Sequence, residues 1–165
     1  MILYLHGRGG SSQGTKVTQI RERFGAENVA SFDYATTDAD FENYVQQASV
    51  HIQEVQPKVV IASSFGGAVL LQLLHRGHWS GPCVFLAQAG VKFSAQFSIP
   101  TFLPVGIPAI LIHGTEDDLV DIEGSVLLAE SSETARLVRT VDGHRLYGAD
   151  STQAMFDALA EFLTP

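Results

Sequence analysis

Six short apolar runs punctuate the chain, at residues 2–5, 29–32, 59–62, 84–87, 109–112 and 135–138. Most lack the apolar–polar alternation of a half-exposed strand, so they read as strands covered on both faces. The runs at 29–32 and 135–138 are the weakest and suit the edges of a sheet. Between the runs, apolar residues recur at helical spacing. Val17, Ile20 and Phe24 mark one face; Phe41, Tyr44, Val45, Ala48, Ile52 and Val55 mark a longer one. Stretches 65–76 and 121–130 give two more, and Met155, Phe156, Leu159, Phe162 and Leu163 a last. Strand then helix, repeated about six times, predicts a three-layer α/β sandwich with a mostly parallel sheet of about six strands.

That order places chemistry before any motif is read. Right-handed crossovers put helices on both faces of the sheet and gather every strand-to-helix loop at the carboxyl edge, where ligands bind. These loops are 6–14, 33–38, 63–65, 88–107, 113–121 and 139–150. His6, His113 and His144 fall at that edge. His51, late in a helix, and His75, His78 and Trp79, near the opposite edge, are expected to lie away from it.

Length and charge narrow the picture. At 165 residues the chain is expected to be a single minimal domain over 1–165, with little room for a large lid. Apolar residues at 45% and charged residues at 17% exclude a disordered chain. Ten Lys and Arg against 18 Asp and Glu give a net charge of -8, which argues against a nucleic-acid partner. Cys83 is alone, so no internal disulfide forms and a reducing compartment fits. The apolar stretch at the start is too short for a signal peptide, and no run approaches the roughly 18 residues of a membrane span. A cytoplasmic protein with no membrane partner is expected.

The sharpest chemical signal is Ile61-Ala62-Ser63-Ser64-Phe65-Gly66-Gly67. It follows a buried strand and opens a helix, as does the nucleophile elbow G-x-S-x-G, with Ala62 in place of the first glycine. Residues two away from the nucleophile must be small. Centring on Ser63 would put Phe65 at such a position, so Ser64 is the candidate. Read alone, the segment equally describes a serine capping a helix whose glycines pack closely.

A serine nucleophile needs a base, and the base an orienting carboxylate. On folds with this elbow the chain order is Ser, then Asp or Glu, then His. After His113 the one remaining histidine is His144, in a loop at the correct edge just before the last helix. No carboxylate occurs from residue 55 through 115, so the acid comes from Glu116, Asp117 or Asp118.

Ile112-His113-Gly114-Thr115-Glu116-Asp117-Asp118-Leu119-Val120 resembles the HG-x-x-D-x-x-V segment of α/β-hydrolases, and Leu5-His6-Gly7-Arg8 resembles their HG-x oxyanion segment. The resemblance runs from the first strand to the last helix and is strongest to short, lidless bacterial serine esterases of the YqiA type. It implies an α/β-hydrolase-like sandwich and Asp117 as the triad acid. It also implies backbone N–H groups of Arg8 and Phe65 as oxyanion donors, and His6 and His113 as loop-holding residues. Two departures stand out: Ala62 in the elbow, and the absence of the family's first two strands, since residue 2 already begins the strand before the oxyanion segment.

The reading is therefore a serine hydrolase cleaving small carboxylic esters through an acyl-enzyme, without a cofactor or metal. A thioesterase, an acyltransferase or a non-catalytic binding protein of the same fold are the alternatives. Gly9-Gly10-Ser11-Ser12-Gln13-Gly14-Thr15-Lys16 falls short of a phosphate-binding loop because Thr15 stands where lysine is required, and a dinucleotide pattern from Gly7 fails at Ser12. His6, His113 and His144 could gather as zinc ligands, but the first and second are explained by the hydrolase-like segments. The connection 88–107 reads mostly as a loop packed over the sheet edge, with Phe93, Phe97 and Phe102 as substrate-pocket candidates. Arg8 reads equally as surface charge or as a contact for an anionic substrate.

Overall fold

A computed structural model describes residues 1–164. Six strands form one parallel sheet: β1 (Ile2–Leu5), β2 (Val29–Ser31), β3 (Val59–Ser63), β4 (Cys83–Leu86), β5 (Ala109–Gly114) and β6 (Ala135–Thr140). Their spatial order is β2-β1-β3-β4-β5-β6, and each neighbouring pair is parallel. The helices are α1 (Thr15–Phe24), α2 (Phe41–Val55), α3 (Phe65–His75), the short α4 (Ser94–Phe97), α5 (Glu123–Glu130) and α6 (Ala149–Leu163).

The unbroken apolar runs are explained by what covers them. Ile2, Tyr4, Val59, Ile61, Val84, Leu86, Ile110 and Ile112 point to one face, where Val17 and Ile20 of α1 and Met155, Ala158 and Leu159 of α6 close over them. Leu3, Leu5, Val60, Ala62, Phe85 and Leu111 point to the other, against Tyr44 and Val45 of α2, several α3 residues and Leu128 of α5. A pleated strand sends successive side chains to opposite faces, so burial on both faces demands apolar residues at every position. The two weak runs are the sheet's edges. β2 is three residues long, and β6 exposes Arg136 and Arg139.

The topology has one reversal. From β1 the chain moves outward to β2, then crosses back to place β3 on β1's other side. The loops after β1 and β3 therefore leave the sheet side by side, in opposite senses, and a crevice opens between them at the carboxyl edge. A close approach fixes their spacing. A Cβ built on Gly66, in the first turn of α3, would press on the carbonyl oxygens of Leu5 and His6, 2.7 Å from the latter. Only hydrogen fits there. Replacing Gly66 with alanine is expected to lower the chemical-denaturation midpoint by an amount worth about 1–3 kcal/mol, the range for overpacking. An unchanged midpoint would show that the contact is relieved without cost.

Candidate active site

Three loops at the carboxyl edge bring together the residues that the sequence nominates. Ser64 lies between β3 and α3 with φ 51° and ψ −114°. Ser63 is still strand, so the sharp turn falls on Ser64. A non-glycine residue held there costs on the order of 1–3 kcal/mol. The turn is held by its own backbone. The Ser64 N–H donates to the Leu86 carbonyl at 2.9 Å, and the Ser64 carbonyl accepts from the Gly67 and Ala89 amides at 2.9 and 3.0 Å.

His144 lies in the loop between β6 and α6 and must reach back across the sheet. Its Nε2 lies 2.9 Å from Ser64 Oγ, and its Nδ1 lies 2.7 Å from Asp117 Oδ2. Asp142, which the sequence reading passed over, organises that reach. Its Oδ1 accepts the Gly143 amide at 2.8 Å, while Oδ2 accepts the Gly148 amide and the Ser151 hydroxyl, both at 2.7 Å. Gly114, at the end of β5, meets this loop so closely that a Cβ would overlap the Asp142 carbonyl.

Asp117 is fully enclosed and fully bonded. Oδ1 accepts the Leu119 and Val120 amides at 2.9 and 2.8 Å, and Oδ2 faces both His144 Nδ1 and His113 Nε2, the latter at 3.1 Å. Burial alone would raise its carboxyl. The Val120 amide, the His144 imidazole and the Leu119 amide outweigh burial and hold it below the ordinary carboxylate value. An ionised Asp117 accepts from Nδ1–H, which leaves Nε2 of His144 as an acceptor for the Ser64 hydroxyl. Glu116 and Asp118 make no contact with either histidine among the bonds formed by the described residues.

Behind the acid runs a polar chain. His113 is fully buried; its Nε2 also lies 3.0 Å from the Val120 carbonyl, and its Nδ1 accepts from the Ser125 hydroxyl at 2.7 Å. Gln88 donates to Ser125 at 3.2 Å and accepts the Gly90 amide at 2.7 Å. Ser125 carries no sequence signal. Gln88 carries one, as a buried polar residue directly after an apolar strand. His6 does not join His113 and His144. Its Nε2 accepts the Tyr34 amide at 3.0 Å and its Nδ1 bonds the Gly7 carbonyl at 2.9 Å, which holds the loop after β1. No group of His, Cys, Asp and Glu among the described residues is arranged to hold a metal ion.

The crevice beside Ser64 encloses about 420 Å³, with Gly7, Arg8, Phe65, Phe93, Val120 and His144 among its walls. Of the three aromatic candidates, only Phe93 lines it. Phe97 turns inward and stacks on Phe41, ring centroids 4.0 Å apart. Phe102 is half exposed and lies against His75 at the far end of α3, with its carbonyl 2.7 Å from His75 Nε2. The reason is the route of the connection. After α4 the chain descends from the carboxyl edge to the start of β5, carrying Phe102 with it. Arg8 is ion-paired with Asp38 and lies over the Phe65 and Phe93 rings, 4.6 and 4.8 Å from their centroids. Lys16, buried, also reaches the crevice. Its Nζ donates to the Arg145 carbonyl, and burial lowers its pKa to about 8.

No family model matches the sequence, and no match was found among curated proteins. Solved structures do match. A candidate hydrolase from Agrobacterium vitis is 14% identical, with 99% of this chain and 87% of that one covered and a TM-score of 0.81. Alpha/beta hydrolase domain-containing protein 10 from mouse is 16% identical over 99% and 90% of the two chains, TM-score 0.76. A monoacylglycerol lipase from Paleococcus ferrophilus is 14% identical over 98% and 94%, TM-score 0.76. The chain has the α/β-hydrolase fold. No helix among the described residues is long and apolar enough to cross a membrane.

Burial holds the His113 imidazole below its ordinary value of 6.5, against the pull of the Val120 carbonyl and Asp117. The unfolded chain therefore takes up this proton first. Its contribution to stability is full above the unfolded value and is lost as pH falls below it, toward the folded value. The thermal midpoint is expected to drop between about pH 7.5 and about pH 5, and to drop less in His113→Asn. His51, also held down by burial, supplies part of the remainder. An equal drop in the variant would overturn a neutral His113.

Proposed function

We propose that the protein is a serine hydrolase that cleaves small carboxylic esters through an acyl-enzyme. One observation carries the reading: an unbroken hydrogen-bond chain from Ser64 through His144 to Asp117, beginning at a strained turn and ending at a saturated carboxylate. Strain at Ser64 and a buried charge at Asp117 both cost stability, and neither improves packing. A site kept only for binding has no use for that combination.

The steps follow from the assigned protons. Ser64 Oγ attacks the ester carbonyl carbon while His144 Nε2 takes its proton. Asp117 holds the ring orientation and stabilises the imidazolium. Negative charge gathers on the former carbonyl oxygen, which the N–H groups of Arg8 and Phe65 receive. Removing one donor of this kind costs roughly 2.7–4 kcal/mol of barrier stabilisation. The tight fit of Gly66 under Leu5 and His6 keeps the two donor-bearing loops in register. The tetrahedral species expels the alkoxide, which leaves with the proton from His144. Water, deprotonated by the same Nε2, then attacks the acyl carbon and releases Ser64 and the carboxylic acid. Phe93 forms one wall for the acyl group. The crevice is only half enclosed, which favours short acyl chains.

A fluorophosphonate probe is expected to label the protein at Ser64 and to fail on Ser64→Ala. On a panel of p-nitrophenyl esters, Ser64→Ala and His144→Ala should each reduce kcat by at least about 10⁴-fold, and Asp117→Asn by about 10⁴-fold, with far-UV circular dichroism unchanged. Acyl-CoA thioesters tested alongside separate ester from thioester cleavage. Near-normal turnover by Ser64→Ala would overturn the assignment.

A further inference from the structure

The chain carries ten lysines and arginines and a net charge of -8, so an even distribution would leave any concavity negative. The crevice beside Ser64 departs from this. Arg8, Lys16, Lys92 and Arg145 all line it, and no carboxylate does. Four of the ten cations thus face one opening.

Their partners differ. Arg8 has its charge met by Asp38. Lys92 caps the Leu119 carbonyl at 2.7 Å. Lys16 is 8% exposed, yet its neighbours are the neutral Arg145 carbonyl and the face of Tyr147, 4.5 Å from Nζ to the ring centroid. The Arg145 guanidinium is exposed and has no carboxylate within ion-pairing distance among the described residues. Asp142, the acid whose field reaches Lys16, has both oxygens taken by the Gly143 and Gly148 amides and the Ser151 hydroxyl. A nearly buried ammonium with neutral partners is costly in the unliganded protein, and an incoming anion removes that cost. A neutral ligand gains nothing from it.

We propose that the substrate is an anionic ester, and that Lys16 and Arg145 bind its carboxylate or phosphate beside the reacting carbonyl. The proposal rests on the serine hydrolase reading and adds the charge of the substrate to it. Arg145 follows His144 in sequence, so an anion held there lies within a small molecule's length of Ser64. Partial enclosure strengthens such a pairing relative to bulk water. The protein's overall negative charge repels anions at a distance, so recognition depends on short-range contact and not on steering.

Matched ester pairs test this. Methyl 4-acetoxybenzoate against 4-acetoxybenzoate adds a carboxylate to the leaving group, and phenyl butyrate against monophenyl succinate adds one to the acyl group. Phenyl acetate against 4-acetoxyphenyl phosphate adds a phosphate. In at least one pair kcat/KM for the charged member should exceed that for the neutral one by about tenfold at low salt. That ratio should fall about tenfold or more in Arg145→Glu, fall in the milder Arg145→Gln and Lys16→Gln, and shrink in about 0.5 M salt. Ratios near one in every pair, or a ratio that Arg145→Glu leaves unmoved, would overturn the proposal. Calorimetric titration of Ser64→Ala with benzoate and with phenyl phosphate gives a readout without turnover. Anion binding without hydrolysis of any ester sinks the serine hydrolase reading and keeps the anion site. Hydrolysis of neutral esters with no anion binding sinks the anion site alone.

Discussion

Every strand of the sheet points the same way, and both of its faces are covered by helices. From that constraint the rest follows. Six connections leave one edge, and polar side chains that would find no place in the two apolar layers collect there. The order reversal between β1 and β3 separates two of those connections and leaves the opening in which Ser64 stands. Asp117 and His144 come from β5 and β6, farther along the same edge, and meet Ser64 only because the β6 loop folds back over the sheet.

The energetic character of the site differs from that of the core beneath it. The core gains from apolar contact and asks little of direction. The site instead spends stability on direction: a serine in an unfavourable backbone conformation, a carboxylate that accepts three hydrogen bonds and faces a second imidazole, and behind it a histidine whose pKa burial holds down. The chain from Gln88 through Ser125 and His113 to Asp117 means the acid is held from the loop after β4, from β5 and from α5 at once. Its orientation is thus set by the fold itself; in the serine hydrolase proposed above, that is the condition under which charge stabilisation would cost no reorganisation during reaction.

What could be read from the sequence follows a physical division. The runs 59–62 and 109–112 were legible as strands, which the structure extends to Ser63 and Gly114, because two-sided burial imposes a composition, and Ser64 as a candidate because a tight strand-to-helix turn excludes bulk two residues away. His144 followed from chain order and elimination. Asp117 could not be separated from Glu116 and Asp118 without the family resemblance, since what distinguishes it is which oxygen meets which ring. Phe97 and Phe102 were misplaced as pocket residues because an irregular connection has no period to show where a side chain points. Asp38 opposite Arg8, and Lys16 beneath Arg145, unite residues 30 and 129 positions apart. Such pairings exist only once the topology does.

An open sheet has two unsatisfied borders, each a row of amides and carbonyls able to recruit a strand from another chain. Here both are poor templates. β2 offers three residues, too few for a lasting ladder. β6 presents Arg136, tied to Glu161 of α6, and Arg139, so an approaching strand meets charge before it meets backbone. The two runs that looked least like strands in the sequence are the ones that guard the protein against uncontrolled β-sheet growth.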